Sequence, residues 1–219
     1  MEHAAANCYD SEPTKEGRIT QACIASGHDS VTEFGSFVFH IEGVSRTLLA
    51  QLTRHRHAGY AVRSQRYCDE SGFSFVTPPS IVQKKKENKK YERIMEALND
   101  WYKELVEEGI PKEDARYILP NACCTTLEVT FNFRSLMHFC NLRMCSRAQW
   151  EIRELANAMA KLIEMQIDIP LYGKPVLSKY LVPMCETHKV PFCEEKSCCG
   201  RHPKLEDLVH GEKGTADNN

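Results

Sequence analysis

The densest chemistry in the sequence lies at Arg54-His55-Arg56, from which seven residues lead to Ser64-Gln65-Arg66-Tyr67. Guanidinium groups present a planar fork of donors that matches phosphate and carboxylate oxygens in pairs. From Gly43 to Cys68 there is no Asp or Glu, yet this window holds Arg46, Arg54, Arg56, Arg63 and Arg66 with His55 and His57. A second acid-free window, Val129 to Trp150, carries Arg134, Arg143 and Arg147. Arginines with no carboxylate near them in sequence suggest a site awaiting an external anion. The competing reading is a solvated face, or pairing with acids from distant parts of the chain. Recurrence of the pattern in two windows favours the anion site. Ser64 has no adjacent His or Lys to act as its base, so it suits hydrogen bonding rather than nucleophilic attack.

The other reactive side chains argue less. Lys84, Lys85, Lys86, Lys89 and Lys90 alternate with Glu87 and Glu92 and read as the solvated start of a helix rather than a nucleic-acid patch. There are 11 cysteines, an odd number without a secretory leader, which argues for reduced intracellular thiols and a cytoplasmic location. Cys185, His188, Cys193, Cys198, Cys199 and His202 cluster near the C-terminus, but no CxxC-like pair is present, so no metal site is expected there.

The elements that must position these groups follow from periodicity. Phe37, Phe39 and Ile41 alternate in a strand that Gly43 should end. Val44, Leu48, Leu49 and Leu52 mark a short helix running into Arg54. Residues 58 to 80 read as a long loop with strand fragments. Tyr91, Ile94, Met95, Leu98, Trp101, Tyr102, Leu105 and Val106 recur at helical spacing, and Gly109 before Pro111 stops that helix. A short helix from Pro111 to about Leu119 carries Arg116. Leu127, Val129, Phe131 and Phe133 alternate in a second strand. Ser135 is then a fair N-cap for a helix continuing through Trp150 to roughly Gln166, whose first turn, beside Asn132 and Arg134, suits a phosphate. The tail from about Leu181 reads as loop, with disorder expected over Gly211–Asn219. The expected fold is a single-domain α+β architecture, a mixed or antiparallel sheet flanked by long helices, with residues 1–180 as the folded domain and 181–219 as a Cys-rich tail.

Composition excludes more than it names. A chain of 219 residues with 42% hydrophobic and 26% charged positions can bury a core, and its net charge of −2 gives no general affinity for polyanions. No apolar run approaches the length of a membrane span, and there is neither GxGxxG nor a P-loop. Neither nucleic acid nor a membrane is an expected partner.

RHR, seven residues, then Ser resembles the signature of the flavin-dependent thymidylate synthases. The segments SFVFHIEGVSRTLLAQLTRHR, GIPKEDARYILPNA and TFNFRSLMHFCNLRMCSRAQWEIRELA extend the resemblance over roughly residues 18 to 165. The resemblance implies a homotetramer with active sites between subunits, using FAD, NADPH, methylenetetrahydrofolate and dUMP. It implies reductive methylation of uracil carbon 5 to give dTMP: NADPH reduces the flavin, the folate supplies the one-carbon unit, the reduced flavin delivers hydride, and no cysteine attacks the base. By the same resemblance, Ser36, Arg54, His55, Arg56, Asn132, Arg134, His138 and Arg147 fall on flavin-contacting positions. Gln51, Arg54, Ser64, Gln65, Arg66 and Arg116 fall on dUMP-contacting positions, Arg116 at the phosphate. Arg143 matches the catalytic arginine that polarises the uracil ring.

The chain departs from the commoner family pattern at Phe34, where a histidine is usual, and at Gly59, Ala61 and Val62 inside the signature. These departures keep open C5 modification of another pyrimidine nucleotide. A non-catalytic zinc-stabilised nucleic-acid-binding module is the alternative from another class.

Overall fold

The computed structural model describes residues 1–211. Along the chain run α1 (Glu2–Cys8), α2 (Arg18–Ala25), β1 (Ser36–Ser45), α3 (Arg46–Leu52), β2 (Ala58–Val62), α4 (Pro79–Val82), α5 (Lys85–Glu107), α6 (Lys112–Ala115), β3 (Cys124–Asn132), α7 (Phe133–Arg143), α8 (Trp150–Ile163), α9 (Ile169–Tyr172) and α10 (Leu205–Gly211). The class is α+β as expected. The three strands form one sheet in the order β1-β3-β2. Its register is antiparallel throughout: Arg46 N–H bonds Cys123 O while His40 faces Glu128, and Arg63 N–H bonds Thr126 O while Gly59 faces Thr130. Among the described residues no helix is long and apolar enough to cross a membrane.

The chain gathers into two compact units, one of Val38–Thr130 and one of Met1–Phe37 with Phe131 onward. In the first, Phe39, Ile41, Leu127 and Val129 fill the buried face of the sheet, with Leu48 and Leu52 of α3 fully buried. Each such side chain contributes about 1.5–3 kcal/mol by leaving water. Tyr102 of α5 is also fully buried, and its hydroxyl accepts the Glu70 N–H at 3.3 Å. Gly109, at φ 84, closes α5 as anticipated: Gly109 N–H returns to Val106 O and Ile110 N–H to Leu105 O.

In the second unit, Glu2 of α1 serves the first turn of α2. Its carboxylate accepts the N–H groups of Ile19 and Thr20 and the hydroxyls of Thr14 and Thr20. Burial opposes its charge, but the Thr14 and Thr20 hydrogen bonds outweigh that and hold its pKa at about 2. Ile152, Ala156, Met159, Ala160 and Ile163 form the buried stripe of α8. Asp168, fully buried, accepts the backbone N–H groups of Leu177 and Ser178 and the Ser178 hydroxyl, which fastens the turn after α9.

Several local expectations are corrected. Gly43 does not end β1; at φ 70 it is accommodated within the strand, which runs on to Ser45. Residues 58–80 do carry a strand fragment in a long loop, β2, and α4 begins only at Pro79. The N-cap of α7 is Asn132, whose Oδ1 accepts Ser135 N–H at 2.8 Å, so Ser135 is the capped residue and not the cap. The helix does not continue from Ser135 to Gln166. It stops at Arg143 and restarts at Trp150, because the Gln149 side chain caps Glu151 and Ile152 while Arg153 donates to the carbonyls of Ser146 and Ala148. The tail is not all loop, since α10 forms at Leu205–Gly211; the disorder expected beyond Gly211 lies outside the described residues.

Candidate active site

Ser45 begins the local construction of the signature by accepting Leu48 N–H at 3.0 Å, which starts α3 at Arg46. At the other end, Arg54 N–H bonds Gln51 O and His55 N–H bonds Leu52 O, tightening the last turn. Tyr60 of β2 locks that turn: its hydroxyl donates toward Leu52 O at 2.8 Å and His55 O at 2.9 Å, and burial pushes its pKa to about 12. Gln51 and His55 are half-buried, whereas Arg54 and Arg56 are exposed. Among the described residues the guanidinium groups of Arg54 and Arg56 have no hydrogen-bond or ion-pair partner.

Arg63 holds the following loop. Its Nε lies 3.1 Å from the buried carboxylate of Glu70 and its Nη2 donates to Asp69 O at 3.0 Å. This clamp closes the segment that presents Ser64, Gln65 and Arg66. Inside it, Ser64 Oγ accepts Arg66 N–H at 3.2 Å, and Gln65 Nε2 points to Cys123 Sγ at 3.7 Å. Arg66 Nε pairs with Glu113 Oε2 at 2.5 Å, and Arg116 Nε donates to Glu113 O at 3.0 Å. Two of the arginines expected at the nucleotide therefore meet at one residue. Below the loop, Arg46 Nη2 donates to Arg63 O at 3.1 Å while its buried Nε has no partner. Burial draws the Arg46 pKa down, and the neighbouring Arg116 charge adds to that.

The remaining expected residues, Ser36, Asn132, Arg134, His138, Arg143 and Arg147, belong to the second unit. Ser36 opens β1 and is exposed. Asn132 spends its side-chain oxygen on the α7 cap, and Phe133 N–H bonds Gly35 O at 2.7 Å. Two first-turn amides of α7 are thus satisfied internally, which makes its start a less open phosphate site than the sequence suggests. Arg134 Nη1 pairs with Glu33 Oε1 at 2.5 Å, beside Phe34, which is 73% exposed. His138 lies on α7, and Arg143 is its last residue. Arg147 stands in the loop before α8, donating to Ser197 O at 3.2 Å and lying 3.5 Å from Glu195.

These pairings correct the reading of both windows as arginines without internal partners. Glu70, Glu113, Glu33 and Glu195 come from outside the windows to Arg63, Arg66, Arg134 and Arg147. Sequence reasoning missed Glu70 and Glu113 because acids distant in the chain leave no local signal. It noticed Arg46 and Arg63 but gave them no task. Gly59, by contrast, has a steric reason: a Cβ there would sit 2.8 Å from Thr130 Cγ2 on the neighbouring strand. The cysteines near these residues are unsuited to attack, since burial raises Cys123 to about 11 and Cys140 to about 12.

Residues 1–167 match the family model described as thymidylate synthase complementing protein, Thy1. The chain is 42% identical over 184 residues to a flavin-dependent thymidylate synthase of Geobacter sulfurreducens, covering 83% of this chain and 75% of that one. It is 38% identical over 207 residues to one of Nitratidesulfovibrio vulgaris, covering 90% and 81%. A third, of Pyrococcus furiosus, is 45% identical over 175 residues, covering 78% and 69%.

Proposed function

The chain belongs to the thymidylate synthase complementing protein family, and on that premise we propose that it is a flavin-dependent synthase converting dUMP to dTMP. The observation that carries this reading is the exposed pair Arg54 and Arg56, unpartnered among the described residues while other arginines of the windows hold internal acids. Two such cations on a turn locked by Tyr60 suit the pyrophosphate of FAD. His55, Ser36, Asn132, Arg134, His138 and Arg147 are assigned to the same cofactor. When bound, FAD supplies the hydride-transfer capacity that reductive methylation requires, with NADPH as reductant and methylenetetrahydrofolate as one-carbon donor.

In this reading the chain's own residues bind and orient. Arg66 and Arg116 would hold the dUMP phosphate, and the Arg63–Glu70 clamp fixes the segment from which Ser64 and Gln65 would contact the nucleotide. Gln51 and Arg54 complete that contact. The Arg143 guanidinium would stabilise negative charge that develops on a uracil carbonyl as carbon 5 becomes nucleophilic. The buried, high-pKa Cys123 and Cys140 take no covalent part. The catalytic region is residues 1–180, and assembly into a homotetramer in the cytoplasm accounts for exposed Val38, Tyr67 and Tyr117.

Two measurements test the proposal. Purified protein should carry or take up FAD, seen as a flavin absorption spectrum at about one per chain. It should then release tritium from carbon-5-labelled dUMP only when NADPH and methylenetetrahydrofolate are both present. A colourless protein that cannot take up FAD, or flavin-loaded protein that releases no tritium, overturns it.

A further inference from the structure

The tail brings together side chains for which the proposed reaction has no use. Cys185 Sγ, the Glu186 carboxylate and a His202 ring nitrogen lie within 4.8 Å of one another. A zinc ion with bonds of about 2.0–2.3 Å holds tetrahedral ligands at about 3.5–3.8 Å from each other, so these donors need little movement to share one. The Nε2 atoms of His202 and His188 are buried without a hydrogen-bond partner. Each faces a carboxylate, His202 Nε2 lying 3.6 Å from Glu186 and His188 Nε2 3.3 Å from Glu194, and a buried imidazole nitrogen set between a thiol and a carboxylate without a hydrogen bond is a place a cation fits.

The neighbouring loop adds sulfur. Cys198 Sγ accepts the Gly200 N–H at 3.3 Å and donates to His202 O at 3.1 Å. Cys193, which is buried, receives the Glu195 N–H on its sulfur and lies within hydrogen-bond reach of Cys198. Cys193 N–H bonds Pro203 O at 2.8 Å and so pins the loop against the segment that carries His202. Cys145, Cys185, Cys193, Cys199 and His202 line one cavity of about 340 Å³.

We propose that this cluster is a structural zinc site with Cys185, Cys193, Cys198 and His202 as its four ligands: Cys185 and His202 are already within reach of one ion, and a shift of the 193–198 loop brings Cys193 and Cys198 to it. The resulting pattern, C-x7-C-x4-C-x3-H, is a Cys3His set without a CxxC pair, which is why spacing alone argued against a metal. Glu186, held by Arg201 at 3.2 Å, lies 3.6 Å from His202 Nε2 and keeps negative charge beside the ion's position. The site would brace the loop that carries Arg147, which donates to Ser197 between the two loop cysteines.

The test uses the full chain purified anaerobically under reducing conditions, reconstituted with zinc and freed of loose ion by dialysis. Elemental analysis should find about one zinc per chain, and cobalt in its place should give thiolate-to-cobalt charge-transfer bands. Alkylation mapped by mass spectrometry should find Cys185, Cys193 and Cys198 protected until a chelator is added, with Cys8 reactive throughout. Cys193→Ser and His202→Ala should each weaken zinc retention at least about tenfold. Less than about 0.1 zinc per chain, or equal alkylation of the three thiols with and without metal, overturns the site. A Cys193–Cys198 disulfide whose reduction restores no zinc binding overturns it equally. None of these readouts depends on flavin or on turnover.

Discussion

Arg66 and Glu113 are joined by an ion pair, Nε to Oε2 at 2.5 Å, across 47 positions of sequence. The backbone carbonyl of Glu113 also receives Arg116 Nε, so one residue sets the positions of both arginines assigned to the dUMP phosphate. Its carboxylate occupies a donor that a bound phosphate would take, and it would repel that phosphate. Under the proposed assignment, Glu113 holds Arg66 in place and would lower the net gain from binding.

Glu113→Gln should lower the KM for dUMP by about 1.5- to 5-fold, the range set by an exposed ion pair of 0.2–1 kcal/mol, with kcat little changed. The Arg116 contact survives because it uses the backbone. Steady-state kinetics at two salt concentrations check this, and a raised KM would show that the carboxylate positions more than it competes.

Arg116→Ala and Arg143→Ala should separate binding from chemistry. Loss of the Arg116 guanidinium removes a phosphate contact and should raise the KM for dUMP at least about tenfold. Loss of Arg143 should abolish tritium release, a fall of at least about a hundredfold in kcat, while flavin absorbance is retained. Full turnover by the Arg143 variant would refute its assignment.

Gly59 and Thr130 form a steric pair on adjacent strands, with 2.8 Å between a prospective Cβ and Thr130 Cγ2. Gly59→Ala should cost about 0.5–1.5 kcal/mol as Thr130 leaves its rotamer. Thr130→Ala should relieve the cost, and a double-mutant cycle in urea should return a coupling of similar size. Additive effects would place the reason for glycine elsewhere.

Glu2 gives a defined pH response. Its folded pKa of about 2 lies below the ordinary 4.5, so its stabilisation is complete above pH 4.5 and is lost as pH falls toward 2. Urea unfolding of the protein and of Glu2→Gln should differ by about 1–2 kcal/mol at pH 7, after allowance for solvent screening. That difference should shrink between pH 4.5 and 2. A gap independent of pH would mean that the hydrogen bonds to Glu2 do not need its charge.

Period and punctuation made much of the molecule legible. The alternation of Phe39 and Ile41 and of Leu127 and Val129 marked the strands. The apolar stripe ending at Gly109 marked α5, and RHR with Ser64 marked the signature. What failed was local wherever a side chain competed with the backbone pattern. Gln149 and Arg153 ended an otherwise continuous helix, and Asn132 displaced Ser135 as a cap.

By itself the sequence determined the α+β class, the long helix and the family, because backbone periodicity and short motifs are properties of neighbouring residues. The tertiary structure alone decided which arginines are neutralised. Glu113 meets Arg66, Glu33 meets Arg134 and Glu195 meets Arg147 only once the chain has folded. It also gathered Cys185 and His202, seventeen positions apart, within reach of a single ion. Electrostatic and coordinating partners are chosen by distance in space, which side-chain spacing along the chain does not encode.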